Sequence, residues 1–524
     1  VTDAGAVTID PPPRSGRRGR SRGAWPSRIA HVAVFGLIAE VAFVHLGNAD
    51  AAPDEFTYRT CGEAYVHGGF TCNLEHPLLA KEILGLGSFI FGNTLAGARA
   101  TTGCIALATA LFCYLFVTDA AGRVAGLGAA ALWGLLPQAG IEDHTTLEAV
   151  RVDRFALLDP YVACFFAAAL FAGARCARRG GVAAGAWCGA AVAAAACAKA
   201  PGILIAPVVC GAPLVARWRA SGRFLREAAA MAVGAVVVVC ASYAPLGPGG
   251  AVRAIRYMFD FQTTHASREV VVGGHFYVQA PWWSDLAFAT SALTIPVMIG
   301  VVGFACAGLL LRPRTSAYPL LASASVVIGV GFGLHLSAPH YFVDWEPGVV
   351  IAAALGASAC VRARSRAVVA APALAAVVLI LFGVVRTVAE VNTLTPGPYA
   401  GAARAMRCET TCFVAYVGFL DVYSNYLPEN AYLSAVPPST RHGIVVARFP
   451  SGGGVVFLRP DVIALDPAAY VLHGSWRRSI AYFTAHARAL GYRELPTGTR
   501  IAVYRRVAGA RVPPAPGPAP LPAG

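Results

Sequence analysis

Pro53-Asp54-Glu55-Phe56-Thr57-Tyr58, followed after a short interval by Asn73-Leu74-Glu75-His76-Pro77-Leu78-Leu79-Ala80-Lys81, is the stretch on which the reading of this chain turns. It comes just after an apolar run, 30–48, long enough to form a bilayer helix. A carboxylate pair at a membrane surface is costly to desolvate and is rarely placed there for packing. A carboxylate can also take the proton from an acceptor hydroxyl, so Asp54 and Glu55 are candidates for chemistry. Taken alone, the pair equally reads as the solvated acidic end of a loop. The rest of the chain has to decide.

Composition decides the class. Of 524 residues, 56% are hydrophobic and only 13% are charged, and the mean hydropathy is +0.58. Apolar runs of bilayer length are expected at 30–48, 98–117, 124–139, 156–174, 181–197, 200–216, 228–245, 286–311, 316–336, 345–361 and 367–388. Ala and Gly fill many of them, which permits close helix packing in lipid. The expected fold is an all-α polytopic membrane protein of about eleven transmembrane helices with a small C-terminal extracytoplasmic α/β domain.

The net charge of +14 would suit a nucleic-acid binder, but its distribution does not. Arginines cluster before the first span (Arg14 to Arg28), then at 175–179, 217–226, 312–314 and 362–366, always on one face if the spans alternate. That is the positive-inside pattern, with the N-terminus cytoplasmic and the C-terminus outside. No nucleic acid is implied. The carboxylates collect on the other face, among them Asp50, Asp54, Glu55, Glu75, Asp153, Asp285, Asp344 and Glu346. Residues 1–29 read as a basic, disordered cytoplasmic tail. No small-residue cleavage site follows the first span, so an uncleaved first helix is expected. Most of the fourteen cysteines lie within spans as small apolar residues. Two outer-face pairs, Cys61 with Cys72 and Cys408 with Cys412, are candidate disulfides in an oxidising compartment. No Cys/His spacing points to zinc.

Residues 30–390 form the expected membrane domain, and the longer loops 49–97, 140–155 and 246–285 share the outer face. From 395 to 508 short β-rich runs appear at 412–417, 443–448, 454–458 and 500–504, with a helical stretch at 477–490, which read as a small α/β domain. The tail 509–524 is Pro-rich. No internal repeat is visible, which removes one signature of many transporters.

Four outer-face features carry possible chemistry: Asp54-Glu55 with His76 and Lys81; Arg151, Arg154 and Asp159 at the entry to the fourth span; His275, Tyr277, Trp282 and Trp283 before the eighth; and His340 before the tenth. Each has a plainer reading. Paired tryptophans suit an aromatic belt, lone histidines are commonly hydrogen-bonded surface residues, and Arg154 with Asp159 suits a local ion pair. Those plainer readings do not explain why all four share one face.

The Asp-Glu pair, His76-Pro77-Leu78 with Lys81, the Arg-x-x-x-Leu-Asp run 154–159 and the His-x-Tyr…Pro-Trp-Trp run 275–283 together resemble the protein O-mannosyltransferase family. That family belongs to the polytopic glycosyltransferases of the C-type fold that use polyprenyl-phosphate sugars, a group that also includes aminoarabinose and arabinosyl transferases. The chain departs from it in having one proline at 77 where two are usual, and in lacking the lumenal β-trefoil of the eukaryotic members. The resemblance covers 30–390 and implies transfer of a sugar, mannose first, from a polyprenyl-phosphate donor to a protein, glycan or lipid acceptor. It implies no obligatory metal, although related enzymes use a divalent ion, and no other cofactor. On this reading Asp54 is the base, Glu55 orients the acceptor or tunes the pair, and Arg154, backed by Arg151 and Lys199, holds the donor phosphate in a cationic fork. His76, Lys81, Asp159, His275, Tyr277, Trp282, Trp283 and His340 line the substrate pocket. A transporter or flippase of lipid-linked or cell-envelope substrates is the rival, but it calls for charges in mid-helix. A receptor or scaffold explains 395–508 and leaves the acidic pair unused.

Reporter fusions should place the N-terminus and the 175–180 and 217–226 loops in the cytoplasm, and residues after 395 outside. A cytoplasmic C-terminus would break the one-face argument.

Overall fold

The computed structural model describes residues 24–52, 54–138, 151–221, 224–265, 268, 270–273, 275–363, 366–407, 412–417, 431–434, 438–439, 444–447, 456–458, 461–466 and 483–508. These pack as two compact units. The first holds the described residues up to 394 except 47–56; the second holds 47–56 and those from 395 onward.

The helices, in chain order, are α1 (Ala24–Phe43), α2 (Glu55–Val66), α3 (Leu79–Phe91), α4 (Leu95–Ala121), α5 (Arg123–Leu135), α6 (Asp159–Arg179), α7 (Val182–Ala198), α8 (Ala206–Ser221), α9 (Phe224–Tyr243), α10 (Gly247–Asp260), α11 (Ser284–Leu293), α12 (Ile295–Leu311), α13 (Pro313–Ile328), α14 (Glu346–Arg362), α15 (Arg366–Thr393) and α16 (Pro398–Met406). Each expected span overlaps helical residues, one of them split between two helices, and the chain is a multi-pass membrane protein. Among the described residues, six helical stretches are long and apolar enough to cross a bilayer, seven if one bent pair counts as a single span. The shorter apolar helices explain the gap from eleven: α5 has only 13 residues, a rise of roughly 20 Å against a 30 Å hydrocarbon core.

Two expectations need correction. The span expected at 286–311 is broken: α11 and α12 meet at 110°. Thr294 takes a left-handed φ of 67° there, and Pro296 follows in the first turn of α12, where it has no N–H to continue the ladder. The outer segments are also more structured than a loop. They hold α2, α3, α10 and an antiparallel hairpin of β1 (Val270–Val272) and β2 (His275–Tyr277). The Cys61–Cys72 disulfide is formed, with Cα atoms 5.3 Å apart, and joins α2 to the turn before α3. Cys408 and the tails 1–23 and 509–524 lie outside the described residues, and α1 already begins at Ala24.

Glycine sets the helix spacing. A Cβ on Gly189 of α7 would come 1.9 Å from the Met231 carbonyl of α9, and one on Gly234 of α9 would come 2.1 Å from the Ala186 carbonyl of α7. The two backbones touch, which is the small-residue packing that lipid favours. Gly356 of α14 meets the Phe304 carbonyl of α12 in the same way, at 1.8 Å.

The second unit is built on a five-stranded mixed sheet. Its strands are β3 (Cys412–Val417), β4 (Ala431–Ser434), β8 (Val462–Leu465), β9 (Tyr492–Leu495) and β10 (Ala502–Arg506), in the order β4-β3-β8-β10-β9. β5 (Pro438–Ser439), β6 (Ile444–Ala447) and β7 (Val456–Leu458) make a separate antiparallel sheet. Ile463, Leu465, Phe483, Leu490, Tyr492 and Tyr504 form a core against the first sheet. All four β-rich runs of the sequence became strands; β4, β5, β8 and β9 had not been expected.

Replacing Gly189 by Val should force α7 away from α9. Overpacking of this kind costs about 1–3 kcal/mol, read as a lower melting temperature of detergent-solubilised protein. An unchanged melting temperature would show that the crossing tolerates a side chain.

Candidate functional site

Asp159 opens α6, one turn before the apolar body of the helix, while Arg178 and Arg179 close it. At 1.5 Å per residue its 21 residues separate those ends by roughly 30 Å, so the two charged ends fit the two faces of a bilayer. At the Asp159 end four elements bring their charges together. Lys199, which caps α7, donates to Asp159 Oδ1 at 2.5 Å and lies 3.7 Å from Asp344 Oδ2. Its ammonium sits 3.5 Å from the centroid of the Tyr341 ring, a cation–π contact. His340 Nε2 is 3.7 Å from Asp159 Oδ2. Asp285, in the first turn of α11, accepts from Ser337 Oγ at 2.5 Å.

Asp159, Lys199, Asp285 and Asp344 are all buried. A charge there persists only with a partner. Burial opposes the charge of Lys199, but Asp159 and Asp344 outweigh it and hold the ammonium protonated. Burial pushes the Asp344 carboxyl well above the ordinary range despite Lys199, and its Oδ1 has no hydrogen-bond partner. Burial also lowers His340 to about 4 against the pull of Asp159, so its ring is neutral at physiological pH.

A second cation lies in the first turn of α3. Lys81 is fully buried and donates to Asn73 O, to Asn73 Oδ1 at 3.2 Å and to His76 O at 3.0 Å. These partners are neutral, and Lys81 makes no ion pair among the described residues. Burial lowers it to about 7, although Glu75 and Glu82 pull the other way. His76 packs edge-on to Tyr58, with centroids 5.7 Å apart, and its buried Nδ1 has no hydrogen-bond partner. Burial, then Lys81 and Lys199, lower that ring to about 3.

The arginines are used differently. Arg154 is buried and spends its guanidinium on the Val41 and Val44 carbonyls at the end of α1. Arg99 bonds the Leu46 carbonyl beside them at 2.7 Å. Helix C-termini leave such carbonyls without partners and with a negative dipole end, so this is a clasp on α1. The ion pair of Arg154 with Asp159 does not form, because Lys199 has taken Asp159. Arg151 is paired with Asp153, Nε to Oδ1 at 2.9 Å.

Along α6 and α7 runs an apolar cavity of about 1010 Å³. Phe112, Phe165, Ala168, Phe171, Trp187 and Ala191 line its length. One end reaches Leu79, Glu82 and Ser242, beside the Lys81 turn; the other reaches Arg175 and Arg179. The small residues that bring helices together elsewhere here leave a slot wide enough for a chain-like ligand.

The remaining sequence candidates make other contacts. Trp282 stacks on Phe332 with centroids 5.2 Å apart, and Tyr277 packs edge-on to Trp283 at 5.9 Å. His275 is exposed on β2. Asp54 and Glu55 belong to the second unit. There Asp54 is exposed, while Glu55 is fully buried and its Oε2 accepts from the Ala52 amide at 2.8 Å. Asp285, Ser337 and Tyr341 were assigned no role from sequence; the only pointer was the place of Asp285 among the outer-face carboxylates. Among the described residues no three His, Cys, Asp or Glu side chains are grouped to hold a metal ion.

No family model matches the chain, and no curated protein sequence matches it. The fold does match solved structures. ArnT from Cupriavidus metallidurans superposes with a TM-score of 0.57 when bound to undecaprenyl phosphate, over 93% of this chain and 99% of that one. In the apo state it gives 0.55, over 92% and 99%. Identity is 16% in both, so the chain shares the ArnT fold. The Saccharomyces cerevisiae protein O-mannosyltransferase Pmt1-Pmt2 complex matches less well, with a TM-score of 0.34 at 15% identity over 46% of this chain and 35% of that one.

Lys199→Met would strand Asp159 and Asp344 without their counter-charge. Breaking a buried pair in this way costs about 3–5 kcal/mol, so melting temperature should fall clearly. Adding Asp159→Asn should recover part of the loss; no recovery would mean that the pair is not what the ammonium stabilises.

Proposed function

We propose that this chain is a membrane glycosyltransferase that moves a sugar, mannose as first choice, from a polyprenyl phosphate to an acceptor hydroxyl on the outer face of the membrane. The observation that carries the reading is the cavity along α6 and α7. It is apolar for most of its length, and one end is lined by Leu79 and Glu82 of the first turn of α3, the turn that also holds Lys81, a buried cation whose partners are neutral carbonyls. A long isoprenoid with a phosphate at one end has that same pattern of polarity. The ArnT fold supports the reading, since that protein has been solved with undecaprenyl phosphate bound.

The donor phosphate is assigned to Lys81, with His76 beside it, in preference to Arg154. Arg154 is committed to the α1 carbonyls, and Lys199 is already neutralised by carboxylates. Lys81 gains from an anion: its charge is held down by burial, and a phosphate would restore it. The acceptor oxygen attacks the anomeric carbon, the carbon–oxygen bond to phosphate breaks, and polyprenyl phosphate leaves with inversion at the sugar. Phosphate is a good leaving group and needs no strong acid. The acceptor must lose a proton, and Asp54, exposed at the head of α2, takes it. Glu55, bonded to the Ala52 amide, holds the turn that presents Asp54. Tyr277, Trp282, Trp283 and His275 offer ring faces for a pyranose or for the acceptor. The N-terminus lies in the cytoplasm and the second unit outside.

Membranes given radiolabelled undecaprenyl-phosphate mannose, then fractionated into protein, glycan and lipid, test the reading and identify the acceptor. Asp54→Asn should lower turnover by roughly 10²–10⁴, the usual loss for a missing general base, with undecaprenyl phosphate still bound. Lys81→Gln should weaken binding of that lipid instead. Normal turnover in Asp54→Asn would remove the base, and normal binding in Lys81→Gln would move the phosphate elsewhere.

A further inference from the structure

Within the second unit, the side chain of Asp50 ties the segment that leads to Asp54 to α16. Asp50 is buried, and its Oδ1 accepts from the Tyr399 amide at 3.0 Å and the Ala400 amide at 3.4 Å. These N–H groups belong to the first turn of α16, where a carboxylate is favoured by both hydrogen bonding and the helix dipole. The Gly397 amide adds a bond to the Asn48 carbonyl at 2.8 Å. Gly397 has room for nothing larger: a Cβ there would lie 2.3 Å from Asp50 Oδ1. From Asp50 the chain passes through the buried Ala51 and Ala52, and Glu55 closes the turn on the Ala52 amide.

The other side of α16 is tied to the sheet. Tyr399 Oη donates to Asp466, which follows β8 and also lies 3.6 Å from Arg500 Nε. Arg505 of β10 donates to the carbonyls of Ala405 at 3.2 Å and Arg407 at 2.6 Å, at the far end of the helix. A continuous set of bonds therefore runs from the sheet through α16 to Asp50, and from there along four residues to Asp54.

We infer that Asp50 is a positioning residue for the transfer reaction: through α16, the C-terminal sheet sets where the Asp54 carboxylate stands. This rests on Asp54 being the base. It assigns the C-terminal unit a part in the chemistry, separate from any binding of acceptor. The geometry required of a base is strict, and a displacement of about 1 Å can cost roughly 100-fold in rate.

The test uses the full-length protein with Asp50→Ala and, separately, Gly397→Ala. The second leaves the carboxylate in place but pushes it off the helix, so it carries the test should Asp50→Ala fail to fold. Hydrogen exchange of the amides at 51–56, which needs no donor, should quicken in both variants. Turnover of undecaprenyl-phosphate mannose should fall roughly 10- to 100-fold, with KM and the Kd for undecaprenyl phosphate unchanged. Unaltered exchange or unaltered turnover in both variants overturns the inference. So does a parallel loss of lipid binding, which would mark Asp50 as a general stabiliser. Asp54→Asn assayed beside them separates the two levels. If it is inactive while the Asp50 and Gly397 variants turn over normally, only the positioning role is lost. If it turns over normally, the base itself is wrong and the inference falls with it.

Discussion

The buried ammonium of Lys199 is the charge around which one end of the membrane unit is organised. An ion in such a place is tolerated only when counter-charges come to it, and here they come from α6 as Asp159 and from the segment before α14 as Asp344. That requirement fixes more than one pair. It draws the beginning of α6, the end of α7 and the beginning of α14 to a single point, and the Tyr341 ring closes over it. The residues contributing to it are as much as 185 positions apart, Asp159 to Asp344. No local preference could bring them together; the cost of leaving a charge alone in a dry interior can.

The same economy explains why so few polar groups remain for chemistry. Arg151, Arg154, Arg99 and Lys199 all lie near the lipid boundary, and each is matched to a carboxylate or to helix-end carbonyls. Lys81 differs because its partners are neutral. In a low-dielectric site, neutral partners satisfy hydrogen bonds without offsetting charge, so this is where an incoming anion gains most. Close packing of α7 on α9 through Gly189 and Gly234 shapes one wall of the slot, whose lining includes Leu79 and Glu82 of the same turn as Lys81. Helices without those glycines would stand further apart, and the wall would lose its depth.

Much of this fold was legible in the sequence because apolar length is a local property. Each expected span overlaps helical residues, and the four β-rich runs became strands. The break at Thr294 was missed because Ile295 to Leu311 is as apolar as the residues before it; the left-handed φ at a threonine is set by packing, not by composition. The site was legible only in part. Asp159, His340, His76 and Lys81 were singled out from their position at one membrane face, and the first two do converge. Arg154 looked like a phosphate ligand because residue type and position were right. What the sequence could not reveal was that the end of α1, 110 residues earlier, would need capping. Ser337 carried no pattern, and Asp285 only its place among the outer-face carboxylates, since their bond joins positions 52 residues apart.

Asp54 and Glu55 look equivalent in sequence and have opposite environments in the fold. One is exposed and the other is fully buried on a backbone amide. That difference is the division of labour expected where a reaction needs one base and no strong acid. On the reading proposed above, Glu55 holds the turn through the Ala52 amide and Asp54 takes the proton. The arrangement works only while the turn is rigid, and the turn begins at a carboxylate, Asp50, that can approach α16 because residue 397 has no side chain. On that reading, a glycine in one part of the chain is the condition for a carboxylate in another to stand where a proton can reach it.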